Sequence, residues 1–195
     1  MKFNLRHVVA FLLLIALSIG FGFGFDAIAN AIEESNHPRP DSLSASVQAN
    51  ATAFGIPEAV IWATVKTGSD FASNAVSEDG RIGLMQLSSE QYNFICQAVL
   101  HEESDPRTLY DPETNLRAGS AWLSYLYGRY GIWDHVFAAY HAGTDAVDTW
   151  LQTPDLMSEQ GILTDIPNDS TAEYVEDMKD AVELYTALYY QTQRR

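Results

Sequence analysis

Over residues 61–87 an apolar run of helical period meets a polar break and then a glycine-punctuated tail, Ser77-Glu78-Asp79-Gly80-Arg81-Ile82-Gly83-Leu84-Met85-Gln86. Sites are often built where a helix runs into sharp turns, because glycine takes up the backbone conformations such turns demand. Asp70, Glu78 and Asp79 are the carboxylic acids around this junction, and His141 follows Tyr140 further along. Carboxylic acids and a histidine, with an ordinary pKa of about 6.5, are the side chains that move protons in general acid–base chemistry. Gln86 offers both a donor and an acceptor, which suits an amide or a sugar hydroxyl, and Tyr140 and Tyr174 offer hydroxyls. No His and Cys spacing suggests a metal site, and no glycine-rich phosphate loop occurs, so no metal or other cofactor is expected.

These groups need elements to position them. Val60, Ile61, Thr64, Val65 and Gly68 recur at three- and four-residue steps, which predicts a helix over 58–69 with Gly68 continuing the inward face and Pro57 as its first residue. Upstream, Asp41 or Ser42 is placed to cap a helix over 43–54 that Gly55 ends. Residues 75–87 read as a small irregular two-stranded hairpin turning at Glu78-Asp79-Gly80. Ser88 and Gln91 fit a capping box for a helix reaching about Leu100, and 101–107 is a charged loop. Asp111-Pro112-Glu113 opens a helix with Leu116, Gly119, Trp122, Leu123 and Leu126 on one face. Short helices over 134–141 and 145–151 are split by Gly143, a polar connection covers 154–170, and a closing helix runs over 171–193. The expected fold is mostly α, one helical domain with one small hairpin.

The chain has 195 residues, 47% hydrophobic, enough for one good core. Lys2, Arg6 and His7 precede an apolar run over 8–19, and Ala27-Ile28-Ala29 reads as a cleavage site, so 1–29 is expected to be a secretory leader. The rival is an uncleaved membrane anchor over 8–25; either way the globular part lies outside the cytoplasm. Residues 30–41 read as a linker and 42–195 as the domain. The formal charge of −15 argues against nucleic acid or an anionic membrane as the main partner. Membrane contact is expected only through an uncleaved amino-terminal segment. The lone Cys96 forms no internal disulfide and reads as a buried thiol.

Four stretches, in order, carry a resemblance. They are Lys66-x-x-Ser69-x-Phe71-x-x-x-Ala75-Val76-Ser77 leading into Gly83-Leu84-Met85-Gln86; Leu109-Tyr110-Asp111-Pro112-x-x-Asn115-Leu116-x-x-Gly119-x-x-x-Leu123; Ala138-Ala139-Tyr140-His141-Ala142-Gly143 with Val147 and Trp150-Leu151; and Ile166-Pro167 with Thr171-x-x-Tyr174-Val175. Together they resemble the lytic transglycosylases related to goose-type lysozyme, over roughly residues 51–185. The resemblance implies a lysozyme-like helical domain and cleavage between N-acetylmuramic acid and N-acetylglucosamine in peptidoglycan. It also implies one glutamic acid that protonates the leaving oxygen and then activates the muramoyl hydroxyl to close a 1,6-anhydro ring. A sugar oxygen leaves poorly unless protonated, and a partly apolar pocket suits an acid to that task.

The family's glutamate stands directly before the serine matching Ser69, where this chain has Gly68. A second family glutamate is replaced by Ser170, and His141 stands where Asn is usual. Asp70 lies two residues beyond Gly68, about 200° round a helix and so turned away. Glu78, Asp79 and His141 are the weaker substitutes as acid. By the resemblance, Ser69, Met85, Gln86, Tyr140, His141 and Tyr174 border the substrate; Met85 reads more readily as groove floor, and Trp62, Trp122, Trp133 and Trp150 as core. The expected function is a catalytically impaired peptidoglycan-binding or scaffolding domain at the bacterial cell wall, with cell-wall proteins as further partners. The alternatives are an active enzyme with a displaced acid, and an interaction protein that no longer sees glycan.

Overall fold

A computed structural model describes residues 28–29 and 31–191; residues 1–27 of the leader expected over 1–29, and 192–193 of the closing helix expected over 171–193, lie outside them. The described residues divide into two compact units between Pro38 and Arg39. In the first, 31–36 are helical, where proline content had predicted a plain linker. No helix among the described residues is long and apolar enough to cross a membrane.

The second unit is helical. Its helices are α1 (Asp41–Phe54), α2 (Glu58–Ser69), α3 (Ser89–Phe94), α4 (Pro112–Tyr130), α5 (Trp133–Ala142), α6 (Thr144–Trp150) and α7 (Asp169–Tyr189). Every residue over 59–65 in α2 is buried, so this helix is core on all sides rather than a surface helix with one apolar stripe. It packs against α7, which also covers α5, while α4 packs on α1 and α5. The core gathers Ile61, Trp62, Leu84, Met85, Leu116, Leu123, Phe137 and Tyr185, all at most 2% exposed.

Local signals explain most boundaries. Gly55 closes α1 in the left-handed region at φ 66°. Ser88 and Gln91 form the complete capping box expected of them, and α3 runs on as a π-helix over Ile95–Leu100. The Asp111 carboxylate accepts from the Thr114 N–H, with Pro112 as the first residue of α4. Pro57 caps α2 from outside instead of starting it. A short 3-10 helix, Pro106–Tyr110, takes the end of the expected charged loop. The Asn168 side chain accepts from the Thr171 N–H, so α7 begins at Asp169 rather than Thr171.

The hairpin expected over 75–87 is present as isolated antiparallel bridges, Val76 with Ile82 and Ile82 with Leu87. Gly83 lies between them at φ 81°, and a Cβ there would stand 2.2 Å from Asn115 Nδ2 and 2.5 Å from the Leu109 carbonyl oxygen. Only glycine fits both demands. Asp70 at φ 48° and Phe71 at φ 66° follow α2 in the same left-handed region, a strained exit for residues with side chains. Asp70 itself is exposed and paired with Lys66, and it does not line the hollow beside Gly68; it caps the helix in the left-handed region, so the helical angle expected for it does not apply.

Candidate functional site

The turn of α2 that carries Gly68, the bridged loop, the end of α5 and the start of α7 meet around a hollow of about 210 Å³. Gly68, Asp79, Arg81, Gln86, His141 and Tyr174 line it, with Met85 and Tyr140 beneath. A second hollow of about 500 Å³ adjoins it at Arg81 and His141 and is walled by Phe94, Trp122 and Tyr125. Trp122 and Tyr125 stack at 5.2 Å with rings 9° apart, and Phe94 meets both edge-on. Trp122, expected as core, is buried yet also contributes to this aromatic wall.

Hydrogen bonds sort the expected site residues into scaffold and cleft. Tyr140 is buried and donates its hydroxyl to the Met85 carbonyl at 2.7 Å, which ties α5 to the bridged loop. Ser69 Oγ donates to the Leu84 carbonyl at 2.8 Å and so fixes the end of α2 to the same loop. Met85 is fully buried, a floor rather than a contact surface, and a Cβ on Gly119 would run into its sulfur at 2.3 Å. Gln86, at φ 50°, turns its Nε2 back onto the Gly83 carbonyl at 2.8 Å and the Ala75 carbonyl at 3.3 Å. Tyr174 and His141 keep their rings in the cleft, stacked 4.8 Å apart. Burial pushes the Tyr174 phenol well up, so its hydroxyl stays protonated.

The weaker acid candidates separate. Glu78 is exposed at the turn and does not line the inner hollow. Asp79 does line it, but the Ser77 hydroxyl and then the Arg81 guanidinium hold its carboxyl below the usual carboxylate range. His141 is half-buried; burial, and then the nearby Arg81 charge, lower its pKa, against an opposing pull from Asp79. At neutral pH Asp79 is therefore a carboxylate and His141 a neutral imidazole. The Ser170 hydroxyl donates to the Asn168 side chain at the start of α7.

Two residues hold this geometry that the spacing alone did not mark as site-forming. Arg81 binds Asp79 at 2.8 Å and donates to the Tyr140 and His141 carbonyls at 3.3 and 2.7 Å, so one guanidinium joins the bridged loop to the last carbonyls of α5. Asn115, fully buried, accepts from the Met85 N–H at 2.7 Å and donates to the Ile82 and Leu109 carbonyls at 2.9 Å each. A polar residue at an otherwise apolar helix position was the available signal for Asn115. Among the described residues no cluster of His, Cys, Asp and Glu is arranged to hold a metal, and Cys96 is buried as expected, its thiol pushed up by desolvation.

Comparison with known proteins agrees with this geometry. The soluble lytic murein transglycosylase of Escherichia coli K12 is 30% identical over 127 residues, which is 63% of this chain and 20% of that protein. The membrane-bound lytic murein transglycosylase C of Yersinia pestis (strain Pestoides F) is 34% identical over 86 residues, 43% of this chain and 24% of that protein. Among solved structures, the 70 kDa soluble lytic transglycosylase of Escherichia coli superposes with a TM-score of 0.72 at 25% identity, covering 80% of this chain and 25% of that one. An inactive glutamate-to-glutamine mutant of the Pseudomonas aeruginosa lytic transglycosylase Slt superposes at 0.68 with 28% identity, covering 76% of this chain and 24% of that one. The chain thus spans only 20% of the length of the first of these relatives. The family described as the transglycosylase SLT domain matches residues 45–160, more than half of the sequence, and the chain belongs to that family.

Proposed function

We propose that this domain binds the glycan strands of peptidoglycan outside the cytoplasm and does not carry out the family's cleavage. The observation that carries this reading is the protonation state of the cleft. Gly68 has no side chain where the resemblance places the acid, and Asp79, the one carboxylate among the described residues lining the inner hollow, is paired with Arg81 and held ionised. The leaving oxygen needs a proton donor, and neither a carboxylate nor a neutral imidazole supplies one at neutral pH. Glu78, the remaining substitute, stands outside the hollow. That a glutamate-to-glutamine change inactivates the Pseudomonas relative supports the same dependence on one carboxylic acid.

Retained binding is supported by the intact cleft. The bridged loop is tied down by Asn115, Tyr140, Ser69 and Arg81, and the aromatic wall of Phe94, Trp122 and Tyr125 offers apolar faces beside polar edges, a surface suited to sugar rings. We take residues 1–29 as the leader or anchor that places the domain at the cell wall and 30–41 as its linker. Sedimentation with purified, protein-free peptidoglycan tests the binding: the domain is expected in the pellet, and retention no greater than that of an unrelated acidic protein refutes it, leaving a scaffold that contacts only other proteins.

A further inference from the structure

Among the described residues lining the two hollows, His141 is the one histidine. Its Nδ1 lies 2.9 Å from Thr171 Oγ1, and Thr171 Oγ1 lies 3.0 Å from Asn168 Oδ1. The direction of this chain of bonds follows from what each atom can do. Asn168 Oδ1 accepts from the Thr171 backbone N–H at 2.9 Å, so the atom there is the carbonyl oxygen and not the amide nitrogen. Oδ1 only accepts, and it also takes the Ser170 hydroxyl at 2.8 Å; the 3.0 Å approach of two oxygens is bridged by the Thr171 proton, which leaves Thr171 Oγ1 to accept from His141. Nδ1 therefore carries the imidazole proton. Thr171 is buried and tied by the helix cap, so it is not free to turn round. The neutral ring is left with an unprotonated Nε2, which has no hydrogen-bond partner among the described residues, on a side chain that lines both hollows.

We infer that His141 Nε2 is the acceptor that recognises the amide N–H of an N-acetylated amino sugar in the cleft. This rests on the glycan-binding reading above and gives it a specificity-determining residue. The choice of an amide over a hydroxyl has a physical ground. A hydroxyl can donate to a neutral imidazole and accept from a protonated one, so it is indifferent to the charge on His141, whereas an amide N–H can only donate. Protonated Nε2 opposes it. Thr171 and Tyr174 of α7 contact the ring, Arg81 and Asp79 of the bridged loop line the inner hollow with it, and Glu90, Arg129 and Asp145 are the other charged groups lining the larger one. Burial and then Arg81 favour the neutral ring and Asp79 opposes it, so neutral His141 is the resting form.

The test is calorimetric titration of the domain with tetra-N-acetylchitotetraose between about pH 8 and pH 5. Affinity is expected to be flat above neutrality and to begin falling only below the ordinary imidazole value of about 6.5, approaching tenfold per unit, the limit for one proton excluded from the complex. His141→Asn, whose amide can still donate to Thr171 and present an oxygen, is expected to bind with less than about a tenfold loss and with no pH dependence, whereas His141→Phe loses binding at every pH. A flat profile in the unsubstituted domain, or a profile that persists in His141→Asn, overturns the role of His141 while leaving glycan binding intact; no binding at any pH overturns both. Side-chain nitrogen NMR gives a readout independent of the variants: the Nδ1–H tautomer is expected for His141, with its pKa lowered further by the saccharide. An Nε2–H tautomer contradicts the assignment.

Discussion

A Cβ added to Gly68 would stand 3.3 Å from Cγ of Gln86, the side chain that folds back over the end of α2 onto the Gly83 and Ala75 carbonyls. Gln86 thus leans into the approach that a side chain at position 68 would use, and φ at Gly68 is compatible with any residue. Gly68→Glu needs Gln86 to yield by a few tenths of an ångström and gains up to about 1 kcal/mol of helix propensity. Because the rest of the cleft is in place, this single change is expected to give measurable release of 1,6-anhydro muropeptides from purified peptidoglycan. A folded but inactive Gly68→Glu domain would show that the cleft has drifted by more than one residue.

Asn115 is the buried hub of the bridged loop. Replacing it by Ala leaves the Met85 N–H and the Leu109 carbonyl unmatched in the interior, while the Ile82 carbonyl keeps the Leu87 N–H at 3.1 Å. At about 1–3 kcal/mol for each buried polar group left unsatisfied, the loss of stability is expected to reach about 2 kcal/mol or more by urea unfolding. A loss below about 1 kcal/mol would mean that the loop is held by other contacts.

Arg81 joins Asp79 to the end of α5 through a planar fork. Lys cannot reproduce that fork, so Arg81→Lys and Arg81→Ala are expected to weaken peptidoglycan binding to a similar extent in sedimentation assays. Asp79 should then titrate closer to its ordinary value of 3.8 by carboxyl NMR, having lost its second stabilising partner. Full binding by Arg81→Lys would reduce Arg81 to a simple point charge.

His135 adds a pH dependence of stability. It is buried, burial lowers its pKa from 6.5, and its Nε2 accepts from the Leu163 N–H at 3.0 Å, so the fold holds the neutral ring. The unfolded chain takes up this proton as the pH falls through about 6.5 and the folded chain only lower, so the contribution is complete above 6.5 and is lost between the two values, at no more than about 1.4 kcal/mol per pH unit. Urea midpoints are expected to fall between about pH 7.5 and 5, and less steeply in His135→Gln, which keeps an acceptor that does not titrate. An unchanged slope would assign the effect elsewhere.

The helices and their caps were legible in the sequence because they rest on local chemistry: Gly55 at φ 66°, the Ser88–Gln91 box and Asp111-Pro112 each act within one turn. The hairpin was legible as a turn but not as a pair of strands, since Gly83 and Gln86 at positive φ interrupt pairing after single bridges. At the cleft, the residues facing the hollow could be named from the resemblance, but not which of them had spent their hydrogen bonds. Tyr140 and Ser69 turn inward to carbonyls fifteen or more residues away in sequence, while His141 is freed at Nε2 by a cap on a different helix. Arg81 escaped notice for the same reason, its partners lying at the far end of α5.

The central claim is that a formed glycan cleft lacks a proton donor. Its most direct measurement is liquid chromatography with mass spectrometry of the soluble products after prolonged incubation of the domain with purified peptidoglycan, at a protein concentration that saturates binding. Soluble muropeptides are expected at the level of a protein-free control, with the domain recovered on the pellet. Release of 1,6-anhydro or reducing-end muropeptides that disappears in Asp79→Asn or His141→Phe would contradict the account and identify a displaced catalytic group.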